Sequence, residues 1–433
     1  MTLIKINKKN AKYKIEWLDG SSYIGFLKEN KIDGRGKYIY KDGTIYDGMW
    51  KNNKRHGHGK ITWHDGAKYV GKWKNDKRNG HGKITYSCGF NFEGMWKNGN
   101  KEGDGIHNWP DGAKYVGKWK NNKRDGKGTM TYPDGKKYRG MYKNDKREGE
   151  GTYTWQNDAK YVGTWKNDKR DGRGIYIHQD GTKYVGKWKN NKRDGKGTMT
   201  YPDGKKYRGM YKNDKREGEG TYTWQNDAKY VGTWKNDKRD GRGIYIHQDG
   251  KKYVGKWKNG KRNGYGKITY LSGANYEGIW EDGKKKGEGT FVWLDGTKYV
   301  GMLKNNKRDG EGKMTYSDGR KYQGMYKNDK RDGKGKITYA NGDKYVGMWE
   351  NDEKNGEGIF TWKDGKKYVG MFKDNKGHGN GIMTYLDGRK YKTMLDNGKA
   401  VDFEYLNTNG KRKIQNISGL EMLAATALKK KKK

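Results

Sequence analysis

The chain of 433 residues holds a single cysteine, Cys88, so a disulfide framework is excluded and a reducing compartment fits it. Long apolar runs are missing as well. Residues 1–9, MTLIKINKK, lack the apolar centre of a secretory signal, and no later stretch approaches membrane-spanning length. The chain therefore reads as intracellular and soluble. Only 30% of its residues are hydrophobic, against 34% charged and 70 glycines, which leaves little apolar area for a conventional core and leans toward disorder. Negative charge is in short supply too: 52 Asp and Glu face 97 Lys and Arg, a formal net charge of +45. Such an excess favours acidic partners (anionic headgroups, nucleic acid, acidic protein surfaces) or serves solubility alone.

Aromatic residues, which disordered chains avoid, are plentiful. They make up 14% of the chain, with 35 Tyr and 17 Trp. Placed regularly among glycines, they predict an ordered structure whose thin core is made of rings. The pattern Tyr-x-Gly-x-Trp recurs at Tyr23, Tyr46, Tyr69, Phe92 and Tyr115 and onward to Tyr368, always 23 residues apart, so residues 23–390 hold 16 repeats without an insertion. The stretches 115–183 and 184–252 differ only at Thr182 and Lys251, as a block duplication would leave them.

With the leading Tyr as position 0, positions 6 and 7 read Asn98-Gly99, Asn259-Gly260 or Asp282-Gly283, and elsewhere Asn-Asn or Asn-Asp. These are signals for a type I′ hairpin turn, in which both residues take positive φ. A regular hairpin about this turn sets Tyr69 across from Gly82, Gly71 from Gly80, and Trp73 from Arg78. The second turn, Pro133-Asp134-Gly135 in the fifth repeat, suits a type I turn with a left-handed glycine after it. It pairs position 15 with the next Tyr, 13 with the next Gly and 11 with the next Trp. Both turns keep Tyr, Trp and the glycines on one face, as at Tyr69, Gly71, Trp73, Gly80 and Gly82, and again at Tyr115, Gly117, Trp119, Gly126 and Gly128. Each ring then lies over bare backbone. The expected fold is all-β: an elongated, single-layer, twisted antiparallel sheet of stacked hairpins, a rod or trough of roughly 150 Å.

The phrase YVGKWKNNKRDGKGTMTYPDG, beginning at Tyr115, resembles the MORN (membrane occupation and recognition nexus) repeat in its Tyr-x-Gly-x-Trp, Gly-x-Gly and Asp-Gly spacing. That resemblance implies stacked β-hairpins and a non-catalytic binding or scaffolding role. Such repeats accompany phosphatidylinositol-phosphate kinases, junctophilins, radial-spoke head proteins, a SET-type methyltransferase and protist cytoskeletal scaffolds. No enzymatic domain is recognisable beside them in this chain, so no activity carries over.

Residues 1–22 supply a half-repeat, with Ile15, Trp17, Asp19 and Gly20 in register, expected to cap the first strand. Residues 391–433 form a degenerate seventeenth copy, with Thr393 in place of Gly, then SGLEMLAATAL and a lysine tail that includes Lys429 and Lys430. Ser418 and Glu421 suit a capping box, and Leu420, Leu423, Ala424, Ala427 and Leu428 share one helical face, so a short amphipathic helix is expected. It could serve as a cap, a dimer contact or a membrane-surface anchor.

Catalytic and metal chemistry finds no place in this grammar. Gly-x-Gly lacks the strand–helix context of a phosphate loop, and Asp-Gly lacks the acidic ligands of a calcium loop. His56, His58 and His64 invite a zinc reading, but His58 aligns with Lys or Glu in other repeats on an outward face. Cys88 stands in a turn without a base beside it. No cofactor, metal or active site is expected. The charge offers more. Lys120 and Lys123 face one another across the turn, a pattern that recurs along the chain, and with the following arginine they predict a basic ridge. It runs through Lys120, Lys123 and Arg124, then Lys146 and Arg147, Lys169 and Arg170, Lys192 and Arg193, Lys215 and Arg216, and Lys238 and Arg239. Lys118 is expected across from Asp125. Three binding roles follow: a protein scaffold, cytoskeletal or axonemal and able to pair copies of itself; attachment to an anionic membrane surface; and, least favoured because its rings are committed to packing, nucleic acid.

Overall fold

The computed structural model describes residues 2–7 and 12–406, and every regular element among them is a strand. The chain divides into two compact units, Met1–Gln225 and Asn226–Lys433. The first holds β1 (Thr2–Asn7) to β20 (Lys215–Thr223), and the second β21 (Lys229–Lys235) to β36 (Lys399–Leu406). Within each unit, successive strands pair antiparallel into an open single layer of stacked hairpins. The all-β fold is the one expected. The C-terminal helix and Lys429 and Lys430 lie outside the described residues.

The turns form as their residues dictate. At positions 6 and 7, Asn75 and Asp76 have φ of 46° and 64°, and Asn98 and Gly99 have 51° and 89°. In the second turn the Trp109 carbonyl accepts from Gly112 N–H at 3.1 Å, and the Asp111 carboxylate accepts from Ala113 N–H at 2.9 Å. Pairing between repeats matches expectation: His107 opposes Tyr115, Gly105 opposes Gly117, and Gly103 opposes Trp119.

Pairing within a repeat does not. In the hairpin of β7 (Lys68–Lys74) and β8 (Lys77–Thr85), Trp73 opposes Arg78 as expected, but Gly71 opposes Gly82 and Tyr69 opposes Ile84. A bulge between these pairs absorbs two extra residues of the second strand. Gly80 sits in it with φ +87°, a conformation that suits glycine, and does not pair with Gly71. The bulge also separates Lys118 from Asp125; Lys118 instead forms an ion pair at 2.9 Å with Asp104 on the preceding strand. Two residues is an even step, so side chains beyond the bulge keep their face and the rings stay together.

The glycines at positions 2 and 13 therefore form a line across the strands, Gly117 to Gly128 to Gly140. Each leading Tyr lies over it. A Cβ on Gly128 would stand 2.2 Å from the Tyr115 hydroxyl, and one on Gly117 would stand 2.4 Å from the Gly128 Cα. Tyr115 is fully buried, and its hydroxyl donates to the Lys118 carbonyl at 3.1 Å. Trp rings meet the Tyr rings edge to face, at 5.1 Å for Tyr69–Trp73 within a repeat and 5.6 Å for Tyr69–Trp96 to the next.

At its start the first unit places Ile15 of β2 (Lys12–Glu16) opposite Tyr23, and β1 lies outside β2. In the second unit β35 (Lys390–Asp396) and β36 still form a hairpin despite Thr393, whose hydroxyl donates to the Asp402 carbonyl at 3.2 Å.

The two glycines of each Gly-x-Gly thus answer different demands, and alanine separates them. Gly126→Ala meets a positive φ of +100° and is expected to cost about 1–2 kcal/mol. Gly128→Ala must displace the Tyr115 ring and is expected to cost more than about 3 kcal/mol. Urea unfolding of the two variants tests the order. Equal costs would show that the ring does not press on the backbone.

Candidate binding faces

The strands present two faces and a row of hairpin tips. Positions 0, 2, 4, 13 and 15 form the ring face. Position 9 joins them, because it pairs with the Trp at position 4. The arginines assigned to the ridge therefore lie elsewhere. Arg124 is half-buried on the ring face, 4.9 Å over the Tyr142 ring, with its Nε 3.1 Å from the Asp145 carboxylate and its Nη2 2.9 Å from the Asp145 carbonyl. Arg147 and Arg193 repeat this with Asp168 and Asp214, at 3.0 and 3.1 Å. Arg216 stands over the rings of Tyr207 and Tyr222. Arg170 and Arg239 donate instead to the carbonyls of Asn191 and Gly260, at 2.9 and 2.8 Å.

What remains at the tips is lysine. Lys120 opposes Lys123, and Lys146, Lys169, Lys192, Lys215 and Lys238 stand in the same register, all exposed. Within each unit the tips form a double row of lysines backed by arginines fixed among rings. Sequence reasoning missed this division, although a signal was present in the letters. Asp at position 7 always follows an Arg at position 9 of the preceding repeat, as in Arg55 with Asp76 and Arg124 with Asp145. Where Lys stands at position 9, at Lys101, Lys285 and Lys354, the partner is Asn122, Asn306 or Asn375.

Desolvation marks the ring face. The Tyr115 hydroxyl is held above its usual range by burial, and the Tyr69 hydroxyl is pushed up to about 12. Burial, reinforced by Arg78, pushes the Lys101 ammonium down to about 8, and it rests 4.7 Å over Trp119. His107, stacked on Trp109 at 4.2 Å and within 3.4 Å of Lys101 Nζ, is pushed down to about 4 by burial and then by Lys101.

The opposite face carries positions 1, 3, 12 and 14. An exposed apolar row runs along it that the sequence reading did not single out: in the second unit Val300, Met302, Met325, Val346, Met348, Val369 and Met371 are between 37% and 45% exposed. A shallow cleft of about 720 Å³ opens there beside Val300 and Met302, bordered by Glu277, Glu288 and Glu311. His58 is exposed opposite Lys72 on the corresponding face of the first unit, and Cys88 is exposed in a turn. No helix among the described residues is long and apolar enough to cross a membrane.

A sheet with this grammar defines a class. The chain belongs to the MORN repeat family, whose model matches sixteen segments, beginning with 23–45, passing through 115–137 and 184–206, and ending at 368–388. Membership indicates a repeat scaffold, typically for protein or membrane interaction, in a family that is generally non-catalytic. No curated protein matches the sequence. Among solved structures, the chain is similar to the TCP10 domain of Danio rerio CPAP in complex with a peptide of STIL, at 13% identity over 54% of this chain and 98% of that one, with a TM-score of 0.31. The TCP domain of Drosophila melanogaster SAS-4, in complex with a proline-rich motif of Ana2, is 15% identical over 41% and 90%, with a TM-score of 0.23. Scores this low carry nothing about function.

Lys101 yields a test of ring-face desolvation. Its folded value near 8 lies below the ordinary 10.5, so the folded state binds fewer protons between the two. Stability from this group therefore rises with pH across that window, and the penalty is full below it. Lys101→Met is expected to stabilise the protein at pH 7, by about 1 kcal/mol once solvent screening is allowed for. The advantage should shrink to nothing by pH 10.5. Urea midpoints of both proteins at pH 7 and pH 10 measure it, and an advantage independent of pH would refute the assignment.

Proposed function

We propose that this MORN repeat protein is a non-catalytic scaffold that holds partner proteins against the face opposite the rings, at the cytoskeleton or where the cytoskeleton meets a membrane. The observation that carries the reading is the exposed row of Val and Met at positions 1 and 3. An apolar stripe kept in register over successive repeats of an otherwise highly charged chain is a surface fit for a protein partner. A ciliary or axonemal setting accords with the company such repeats keep in other proteins. Pairing of two copies through the same stripe is a further use of it.

A second reading rests on the lysine tips. Paired lysines in five consecutive hairpins of the first unit, from Lys120 to Lys215, offer many weak contacts to anionic phospholipid headgroups. Nucleic acid is disfavoured, since the leading tyrosines are buried beneath the next ring and cannot stack on bases.

The readings separate by salt and by face. Met302→Glu with Met348→Glu is expected to abolish capture of cytoskeletal protein that persists in about 0.3 M salt, and to spare vesicle binding. Gln at Lys120, Lys123, Lys146, Lys169, Lys192 and Lys215 is expected to abolish binding to phosphatidylserine vesicles and spare that capture. Capture lost with the lysines, or with salt alone, would overturn the scaffold reading.

A further inference from the structure

Where Asp stands at position 7 it compensates the Arg at position 9 of the preceding repeat, and one stretch of the second unit lacks that Asp three times in succession. Elsewhere in that unit, Arg308 pairs with Asp329 at 3.2 Å and Arg331 with Asp352 at 2.9 Å, while Lys354 stands singly against Asn375. Arg239, Arg262 and Lys285 face Gly260, Gly283 and Asn306 instead. Among the described residues no carboxylate forms an ion pair with them, although Asp329 offsets part of the shift of Lys285, and Arg239 donates to the Gly260 carbonyl at 2.8 Å. The acids nearby are engaged: Asp249 with Lys251 at 2.7 Å, Asp282 with Lys261 at 3.7 Å, and Asp329 with Arg308.

Rings hold these three cations in place without cancelling their charge. Arg239 lies 4.2 Å over Trp257, Arg262 lies 4.2 Å over Trp280, and Lys285 lies 4.7 Å over Tyr276. All three line one cleft of about 710 Å³ on the ring face, with Tyr245 and Tyr270 beside them. They also feel one another. Burial lowers Arg239 and Arg262, with Arg262 adding to the shift of Arg239, and burial and then Arg262 push Lys285 down to about 8. Like charges held together, partly desolvated and without a counterion are an anion site awaiting its ligand.

We propose that this cleft binds an acidic peptide segment of a partner protein, extended across the strands, with carboxylates at every third residue. The spacing selects that ligand. Strands about 4.8 Å apart put successive position-9 cations about 10 Å apart, and one turn of a polyproline II chain, three residues at about 3.1 Å each, covers the same distance and returns every third side chain to the same face. A bilayer is planar and meets the lysine tips first, whereas these cations are recessed beside Trp rings and a single chain can reach them. The inference deepens the scaffold reading by naming a partner chemistry, and it uses the face opposite the apolar row.

The test restores the missing carboxylates. Asp at position 7 is compatible with this backbone, since Asp329 and Asp352 occupy it at φ of 73° and 75°. The full chain carrying Gly260→Asp, Gly283→Asp and Asn306→Asp should fold, with a thermal midpoint no lower than the parent's. A fluorescent peptide with glutamate at every third position in a Ser/Gly background is expected to bind the parent about tenfold tighter than an isomer with its glutamates contiguous. The triple variant should lose about tenfold of that affinity. Equal binding of the two peptides, or undiminished binding by the variant, would overturn the proposal. So would parent binding of phosphatidylserine vesicles, lost in the variant, with neither peptide bound. Peptide binding that fails while salt-resistant capture on the apolar face persists sinks this inference alone; the reverse outcome sinks the scaffold reading.

Discussion

A tyrosine ring lying flat across a line of paired glycines is the interaction on which the rest of this protein depends. Tyr115 spans its own Gly117 and the opposing Gly128, and its hydroxyl ends on the Lys118 carbonyl. A layer so covered needs no second sheet, which is how a chain with only 30% hydrophobic residues orders itself. The tryptophans carry the contact onward. Trp73 packs edge-on against Tyr46 and Tyr69, and its indole N–H donates at 3.3 Å to the Gly59 carbonyl of the preceding repeat. Cohesion therefore passes from each repeat to the next, as in other linear arrays.

Much of this was legible because turns and periods are local. Asn-Asp and Asn-Gly at fixed positions dictate type I′ turns, and Asp-Gly in the second turn dictates the left-handed glycine that follows. The face shared by the rings follows from parity alone. The two-residue bulge was not legible, because the letters Gly-x-Gly hide two different glycines. Gly80 is there for its φ and Gly82 for the Tyr69 ring, yet an alternating strand would accept either. A regular ladder through Gly80 was the simplest hairpin, and Lys118 with Asp125 followed from it. The placement of the arginines failed for another reason. Trp73 opposite Arg78 was already implied by the turn, but a guanidinium is ordinarily read as solvated, and its seat over the Trp96 ring at 3.9 Å depends on the next repeat.

The aspartate at position 7 explains why the arginines tolerate that seat. Asp145 takes the positive φ of the turn, accepts from Arg124 N–H at 2.9 Å, and sets its carboxylate against the guanidinium of the same residue. One side chain thus shapes a turn, ties two repeats and compensates a half-buried charge. Lysine cannot copy the fork of contacts arginine makes there, and Lys101, Lys285 and Lys354 each meet asparagine, whose Oδ1 accepts only the backbone N–H.

Glycine at position 7 resolves the same position differently. It is the better residue for the second corner of a type I′ turn, with φ near 85° at Gly260 and Gly283, but it supplies no side-chain carboxylate. Each such turn trades charge compensation for backbone ease. Near Arg78 and Lys101 the exchange occurs beside a cation whose ammonium is already displaced from its usual range. At Arg239 and Arg262 it occurs twice running, with Asn306 beside Lys285 next in line, and the local geometry of the turn thereby sets the electrostatics of the opposite end of the side chain. Small changes at one turn position can redistribute exposed charge along a scaffold of this kind without touching the rings that hold it together.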